Sequence, residues 1–152
     1  MESARSDTAA FSGVTVVVVD DNPFELRFME AALARLGVRR VHSCLNAPMA
    51  LSTVSKLVEA PVLLICDLNM PDMDGIEFLR AVAQRNFRGS VLIHSGANQV
   101  VRAAAANLAR AIGLELLGTF AKPIDVDRLA EALLRAVKAQ QGHANDQPTA
   151  QP

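Results

Sequence analysis

Five times along the chain a short apolar run gives way to a segment of helical periodicity, and few architectures accommodate that rhythm. The runs are 14–19 (VTVVVV), 39–44 (RRVHSC), 61–66 (PVLLIC), 90–94 (SVLIH) and 115–120 (ELLGTF). Three are apolar almost throughout, as suits strands covered on both faces. Between them, Val101, Ala104, Ala105, Leu108 and Ile112 share one predicted helix face, and Val126, Leu129, Ala130, Leu133, Leu134 and Val137 share another. Asn22 before Pro23 and Asn46 ahead of Pro48 read as helix starts, and Gly37 and Gly113 as stops. Alternation of this kind predicts an α/β fold: a parallel sheet with helices on both faces, joined by right-handed crossovers.

The chain has 152 residues, enough for one domain, and 51% of them are apolar. Fifteen basic and sixteen acidic residues give a formal charge of -1 with no block of one sign, so neither nucleic acid nor an anionic membrane is an expected partner. No apolar run approaches the roughly 18 residues of a membrane span. The Val run is too short, and too soon followed by acids, to read as a signal peptide. Cys44 and Cys66 form no CxxC or metal spacing and are expected to be reduced, buried packing residues of a cytoplasmic protein. Segments 1–12 and 140–152 are small, polar or Pro-containing and are expected to be flexible tails flanking a domain at 13–139.

Ligands in such sheets gather at the carboxyl ends of the strands. The first strand ends in Asp20 and Asp21, the third in Asp67 and the fourth in Ser95, while the fifth leads into Lys122 and Pro123. Like charges as close as Asp20 and Asp21 repel by roughly 4 kcal/mol at ~4 Å in a medium of intermediate dielectric. Such a group of acids calls for a cation, and an oxygen-rich set of this kind suits Mg2+. Asp67 is the best candidate nucleophile: a carboxylate that attacks a phosphoryl group forms an acyl phosphate. That transfer needs in-line positioning and neutralisation of the equatorial oxygens. Mg2+ would serve one oxygen, Lys122 a second, and Ser95 with a loop N–H a third.

The motifs VVVVDDN, LLICDLNMPDMDGIEFL, VLIHSG and FAKP together resemble the receiver domain of two-component response regulators, over about residues 13–138. The resemblance implies a (βα)5 fold, with five parallel strands in the flavodoxin-like order 2-1-3-4-5. It implies Asp67 as phosphoacceptor, Asp21 as a direct Mg2+ ligand, Asp20 as a ligand largely through water, and the main-chain carbonyl of Asn69 as a further ligand. Ser95 and Lys122 stand at the family's hydroxyl and lysine positions, and a cis peptide is implied before Pro123. Asn69 and Ala97, each two residues beyond a site residue, would modulate the lifetime of the phosphoryl group. The donor would be a sensor histidine kinase or a histidine phosphotransfer protein. The output would pass through the face of helix 4, strand 5 and helix 5 to an output domain, a protein partner or a homodimer. On this reading the chain is a signalling domain and not a turnover enzyme. The stretch from His94 to Ile124 is similar to receivers joined to cyclic-di-GMP phosphodiesterase modules.

One position departs from the family. Three residues before the lysine, where many receivers carry an aromatic switch residue, this chain has Thr119. Phe120 is adjacent but should face the other side of the sheet, unless Gly118 permits a bulge. The outer side of the fourth helix is expected to carry Gln99, Arg102, Ala103, Ala106, Asn107 and Arg110.

Other chemistries fit less well. Aligning Gly75 of DMDG with the glycine of a calcium loop puts Met70 at the first ligand position and Ala81 at the last. His94 beside Ser95 lacks a GxSxG elbow and is expected to be structural, while Met70 and Met73 are expected to pack beneath the loop. A haloacid-dehalogenase-type phosphatase would carry its nucleophile at the end of the first strand with a second Asp two residues on, where this chain has Asn22. A phosphorylation-independent interaction module is the remaining alternative, and the full acidic trio with Lys122 weighs against it.

Overall fold

The computed structural model describes residues 11–57, 63–71 and 73–146. Five strands form one parallel sheet: β1 (Thr15–Val19), β2 (Arg40–Cys44), β3 (Leu63–Cys66), β4 (Ser90–Ser95) and β5 (Glu115–Ala121). Among the described residues they alternate with five helices: α1 (Pro23–Arg35), α2 (Ala47–Lys56), α3 (Gly75–Gln84), α4 (Gln99–Ala111) and α5 (Val126–Asp146). The strand order is β2-β1-β3-β4-β5. The chain therefore winds outward one way from β1 and the other way from β3, which opens a crevice between their carboxyl ends.

Local chemistry sets the helix starts. Asn22 accepts the Phe24 N–H at 2.9 Å, Asn46 that of Met49 at 2.8 Å, Asp74 that of Ile76 at 3.1 Å and Asn98 that of Val101 at 3.0 Å. Each side chain satisfies one of the donors that a helix start leaves unpaired. Gly37 and Gly113 follow α1 and α4 with φ of 93°, the left-handed geometry of a helix stop.

The alternating strand side chains feed two apolar layers. Val17, Val19, Leu64, Cys66, Val91 and Ile93 pack with α2, α3 and α4. Val16, Val18, Leu63, Ile65 and Leu92 pack with α1 and α5. Cys44 and Cys66 are free and buried. They flank Val19 on the strands to either side of it, so their Cα atoms lie two strand spacings apart, about 9.5 Å, beyond disulfide reach.

Four details differ from the sequence reading. Phe11 is fully buried in the α1/α5 layer, and α5 continues to Asp146, so the folded unit exceeds 13–139 at both ends; residues 1–10 and 147–152 lie outside the described residues. The buried stripe of α4 is Ala105, Ala106 and Ala109, whereas Val101 and Ala104 are exposed. The helix is rotated so that its methyl side chains seat it close to the sheet, and Ala106 leaves the expected outer face. On α5, Ala132 and Ala136 are buried beside Leu129 and Leu133, and Leu134 is exposed. Finally, β5 carries a bulge. Val91 pairs with Leu116 but Leu92 pairs with Gly118, leaving Leu117 as the extra residue.

Candidate functional site

Strand register explains why acids far apart in the chain meet. Val19 pairs with Cys66 across β1 and β3, so Asp20 and Asp67 are the next residues on two strands ~4.8 Å apart. The ladder continues through both: the Asp67 N–H donates to the Val19 carbonyl at 3.1 Å, and the Asp20 N–H to the Cys44 carbonyl at 3.0 Å. Both side chains are buried, while Asp21 is exposed. One carboxylate oxygen from each of Asp20, Asp21 and Asp67 lies within 4.8 Å of the other two.

Lys122 enters from the other side of the crevice. Its Nζ donates to Asp20 Oδ2 at 2.6 Å and to Asp67 Oδ2 at 2.9 Å. Burial alone would lower the pKa of this amine. The hydrogen bonds and negative charges of Asp20 and Asp67 outweigh that effect and hold it above the ordinary lysine value. The lysine segment hangs from the end of β4, where Ser95 pairs with Ala121 and its carbonyl accepts the Lys122 N–H at 3.2 Å. The Lys122–Pro123 bond is cis, as the sequence reading expects.

The remaining sequence-derived residues surround this centre. Ser95 is fully buried, and its Oγ accepts the Ala97 N–H at 3.1 Å. Asn69 is exposed and its N–H donates to Asp67 Oδ1 at 3.2 Å. Met70 and Met73 pack in the layer beneath, as expected, while Asp72 lies outside the described residues. Thr119 pairs with Ile93, and Phe120 with His94. Ile93 belongs to the α2/α3/α4 layer, whereas Phe120 packs against the α1/α5 layer. The bulge at Leu117 therefore leaves Phe120 on the opposite face from Ser95, and Phe120 does not occupy the aromatic position that Thr119 vacates.

Some features of the site had no clear signal in the sequence. Gly75 allows α3 to press against the Asp67 loop: a Cβ there would lie 2.6 Å from the Leu68 Cα and 2.8 Å from its carbonyl oxygen. The Gly75 N–H donates to that same carbonyl at 3.2 Å. Arg102, expected to face outward, donates through Nη1 to the Ala97 carbonyl and ties α4 to the β4–α4 loop. Phe24, 75% exposed, lines a shallow cleft with Glu25, Phe28, Lys122 and Pro123 beside the acidic centre. Cys66, next to Asp67, has its thiol pushed up to about 12 by burial and then by the Asp67 charge, so it is a packing group and not a competing nucleophile.

Three carboxylate oxygens so placed form a hard, all-oxygen donor set, which fits a divalent cation such as Mg2+ better than a thiophilic metal. Fold and site together define a doubly wound α/β domain with an acidic, lysine-bridged centre at its switch point. The family described as the response regulator receiver domain matches residues 16–134, and the chain belongs to it. The chain is 27% identical over 122 residues to the cyclic di-GMP phosphodiesterase RocR of Pseudomonas aeruginosa, covering 80% of this chain and 31% of RocR. It is 32% identical over 127 residues to the histidine-protein kinase BarA of Escherichia coli, covering 80% of this chain and 13% of BarA. The chain thus spans under a third of the length of either relative. Among solved structures, a response regulator from Colwellia psychrerythraea superposes with a TM-score of 0.68 at 28% identity, covering 82% of this chain and 97% of that one. A receiver domain from Clostridium thermocellum, with a TM-score of 0.74 at 21% identity over 86% of this chain and 98% of that one, shares the fold.

Proposed function

We propose that the chain is a phosphorylation-switched receiver in which Asp67 takes a phosphoryl group from a phosphohistidine on a sensor kinase or phosphotransfer protein. The observation that carries this reading is the convergence of Asp20, Asp21 and Asp67 with an ammonium bridging two of them. An Asp67 carboxylate oxygen attacks phosphorus, the P–N bond to the donor imidazole breaks, and the departing imidazole nitrogen takes a proton from water. The product is an acyl phosphate.

Asp20, Asp21, Asp67 and the Asn69 carbonyl would hold Mg2+, which when bound supplies charge neutralisation at one phosphoryl oxygen. Lys122 already lies 2.9 Å from Asp67 Oδ2, so its ammonium meets the incoming charge without a long excursion. Ser95 turns its hydroxyl from the Ala97 N–H toward the phosphoryl group, drawing the β4–α4 loop with it. Asn69 and Ala97 border the path of the hydrolytic water and set the lifetime. The exposed Phe24 and Phe28 give a protein donor an apolar hold beside the site.

Movement of the Ser95 loop passes to the face of α4, β5 and α5, where a population shift of a few kcal/mol would change affinity for an output domain, a separate partner or a second copy. Thr119 shares the α2/α3/α4 face of the sheet with Ile93 and Ser95, which leaves it as the readout candidate. The domain would act in the cytoplasm, where kinase and donor meet it, and the similarity to RocR makes cyclic-di-GMP control one candidate output. The test is mass spectrometry after incubation with acetyl phosphate and Mg2+. The expected result is one added phosphoryl group on the unaltered chain and none on Asp67→Asn. Label persisting in that variant would refute the assignment.

A further inference from the structure

Lys122, Pro123 and Ile124 follow β5 and carry the ammonium of the site. Proline has no N–H, so this segment has only two backbone donors. Two consecutive residues of β4 take both: the Ser95 carbonyl accepts the Lys122 N–H at 3.2 Å, and His94 Nε2 accepts the Ile124 N–H at 3.1 Å. His94 and Ile124 are each 4% exposed, so water has little access to replace the second bond.

We propose that His94 is a positioning residue: by holding the Ile124 N–H it fixes the Lys122–Ile124 segment and thereby keeps the Lys122 ammonium over Asp20 and Asp67. The role requires an imidazole whose Nε2 carries a lone pair, so the ring proton sits on Nδ1. The surroundings keep the ring neutral. Burial first, and the Lys122 charge second, lower its pKa to about 4, against a smaller opposing pull from Asp20 and Asp67. An apolar side chain could fill the same space in the α1/α5 layer, but it would leave the buried Ile124 N–H unpaired and the segment free to drift. Asp67 would then meet the phosphoryl group with its amine out of register.

The inference rests on the phosphoacceptor reading above, and its test separates the two. The full chain, His94→Met and His94→Gln are compared for labelling by acetyl phosphate at saturating Mg2+, for Mg2+ affinity by calorimetry and for melting temperature. Losing one buried hydrogen bond is expected to slow labelling of His94→Met by about tenfold, with Mg2+ affinity no weaker than that of the unaltered chain. His94→Gln, whose Oε1 reaches close to the Nε2 position, should recover most of that rate. A His94→Met protein that melts cooperatively and labels at the original rate overturns the proposal, as does a Gln variant no faster than the Met one. Absence of label on the unaltered chain removes the phosphoacceptor reading and the proposal with it. Nitrogen NMR of the unaltered chain gives a check that needs no variant to fold: Nε2 must be the unprotonated ring nitrogen at neutral pH, and a proton found there overturns the proposal.

Discussion

The exits of β1 and β3 and the edge formed by β4 and β5 belong to one sheet, yet they are built on different terms. Across β1 and β3 the pairing runs in register to the last residue, and Asp20 and Asp67 simply extend it. Across β4 and β5 a bulge shifts the register at Leu117. Beyond the bulge, the position of Lys122 depends on two hydrogen bonds from the end of β4. The acidic half of the site is thus fixed by regular pairing, while the basic half is held by two hydrogen bonds to the end of β4, beyond the bulge. Mutations should divide accordingly: changes on the β4–β5 side alter how the site works, and changes on the β1–β3 side alter whether it forms.

Lys122 gives the largest expected effect. Lys122→Met should slow phosphorylation of Asp67 by about a hundred- to a thousandfold, the usual cost of losing one preorganised charge at a reacting centre. The same variant should bind Mg2+ more tightly, because no ammonium competes for Asp20 and Asp67. Calorimetry and acetyl phosphate labelling read the two effects separately, and loss of both together would show that the two halves of the site are not independent. Because its folded pKa is raised, the stability from this ion pair is complete below the ordinary lysine pKa. It is lost as pH rises through the higher folded value.

Gly75→Ala probes the acidic side. A methyl group 2.6 Å from the Leu68 Cα and 2.8 Å from its carbonyl oxygen meets backbone that cannot rotate aside and forces α3 away from the Asp67 loop, at an expected cost of about 3 kcal/mol. Denaturant midpoints measure it, and weaker Mg2+ binding should accompany it. A variant of unchanged stability would mean that the Asp67 loop is less tightly braced than the close approach implies.

Most of the acidic half was legible in the sequence, because hydrophobic runs ending in Asp20, Asp21 and Asp67 need only the strand order to bring the acids together. The helix starts at Asn22 and Asn46 and the stops at Gly37 and Gly113 were legible for the same reason: their chemistry is local. The rest depended on packing that spacing does not encode. Val101 and Ala104 satisfy the helical period as well as Ala106 and Ala109 do. Only contact with the sheet selects the smaller residues, so periodicity alone places α4 one step out of rotation. Phe11 stands alone in a polar segment, and nothing local announces that it completes a core. The bond between His94 and Ile124 spans thirty residues and has no local signature, so the sequence marks His94 as no more than a structural residue.

His94 also makes the β4–β5 side sensitive to acid. The unfolded chain protonates this imidazole near its ordinary value of 6.5, and the folded chain only near 4, so between those values the unfolded state binds more protons. Its contribution to stability is complete above about pH 6.5 and falls away toward pH 4, by no more than about 3 kcal/mol. His94→Gln should flatten that part of the stability curve relative to the unaltered chain, as urea midpoints at stepped pH would record. Equal slopes in the two proteins would show that the acid loss arises elsewhere.

Gly118→Ala is the mildest and the most discriminating. Gly118 has a φ of 158°, and a Cβ there would lie 3.4 Å from the Phe120 ring, so alanine would strain the backbone while barely touching its neighbours. The expected cost is about 1 kcal/mol, seen as a lower denaturant midpoint. The bulge also turns the Leu117 carbonyl toward α5, where it accepts from Arg135 Nη1 at 3.0 Å, so strain at Gly118 should loosen the α5 side of the output face. The β1–β3 register does not pass through Gly118, and the two bonds that hold the Lys122 segment start from β4. Labelling of Asp67 should therefore keep its rate while phosphorylation-dependent partner binding or dimerisation weakens. If labelling slows as much as binding weakens, the bulge belongs to the catalytic half of the sheet, and the boundary between the two edges lies farther in, at β4.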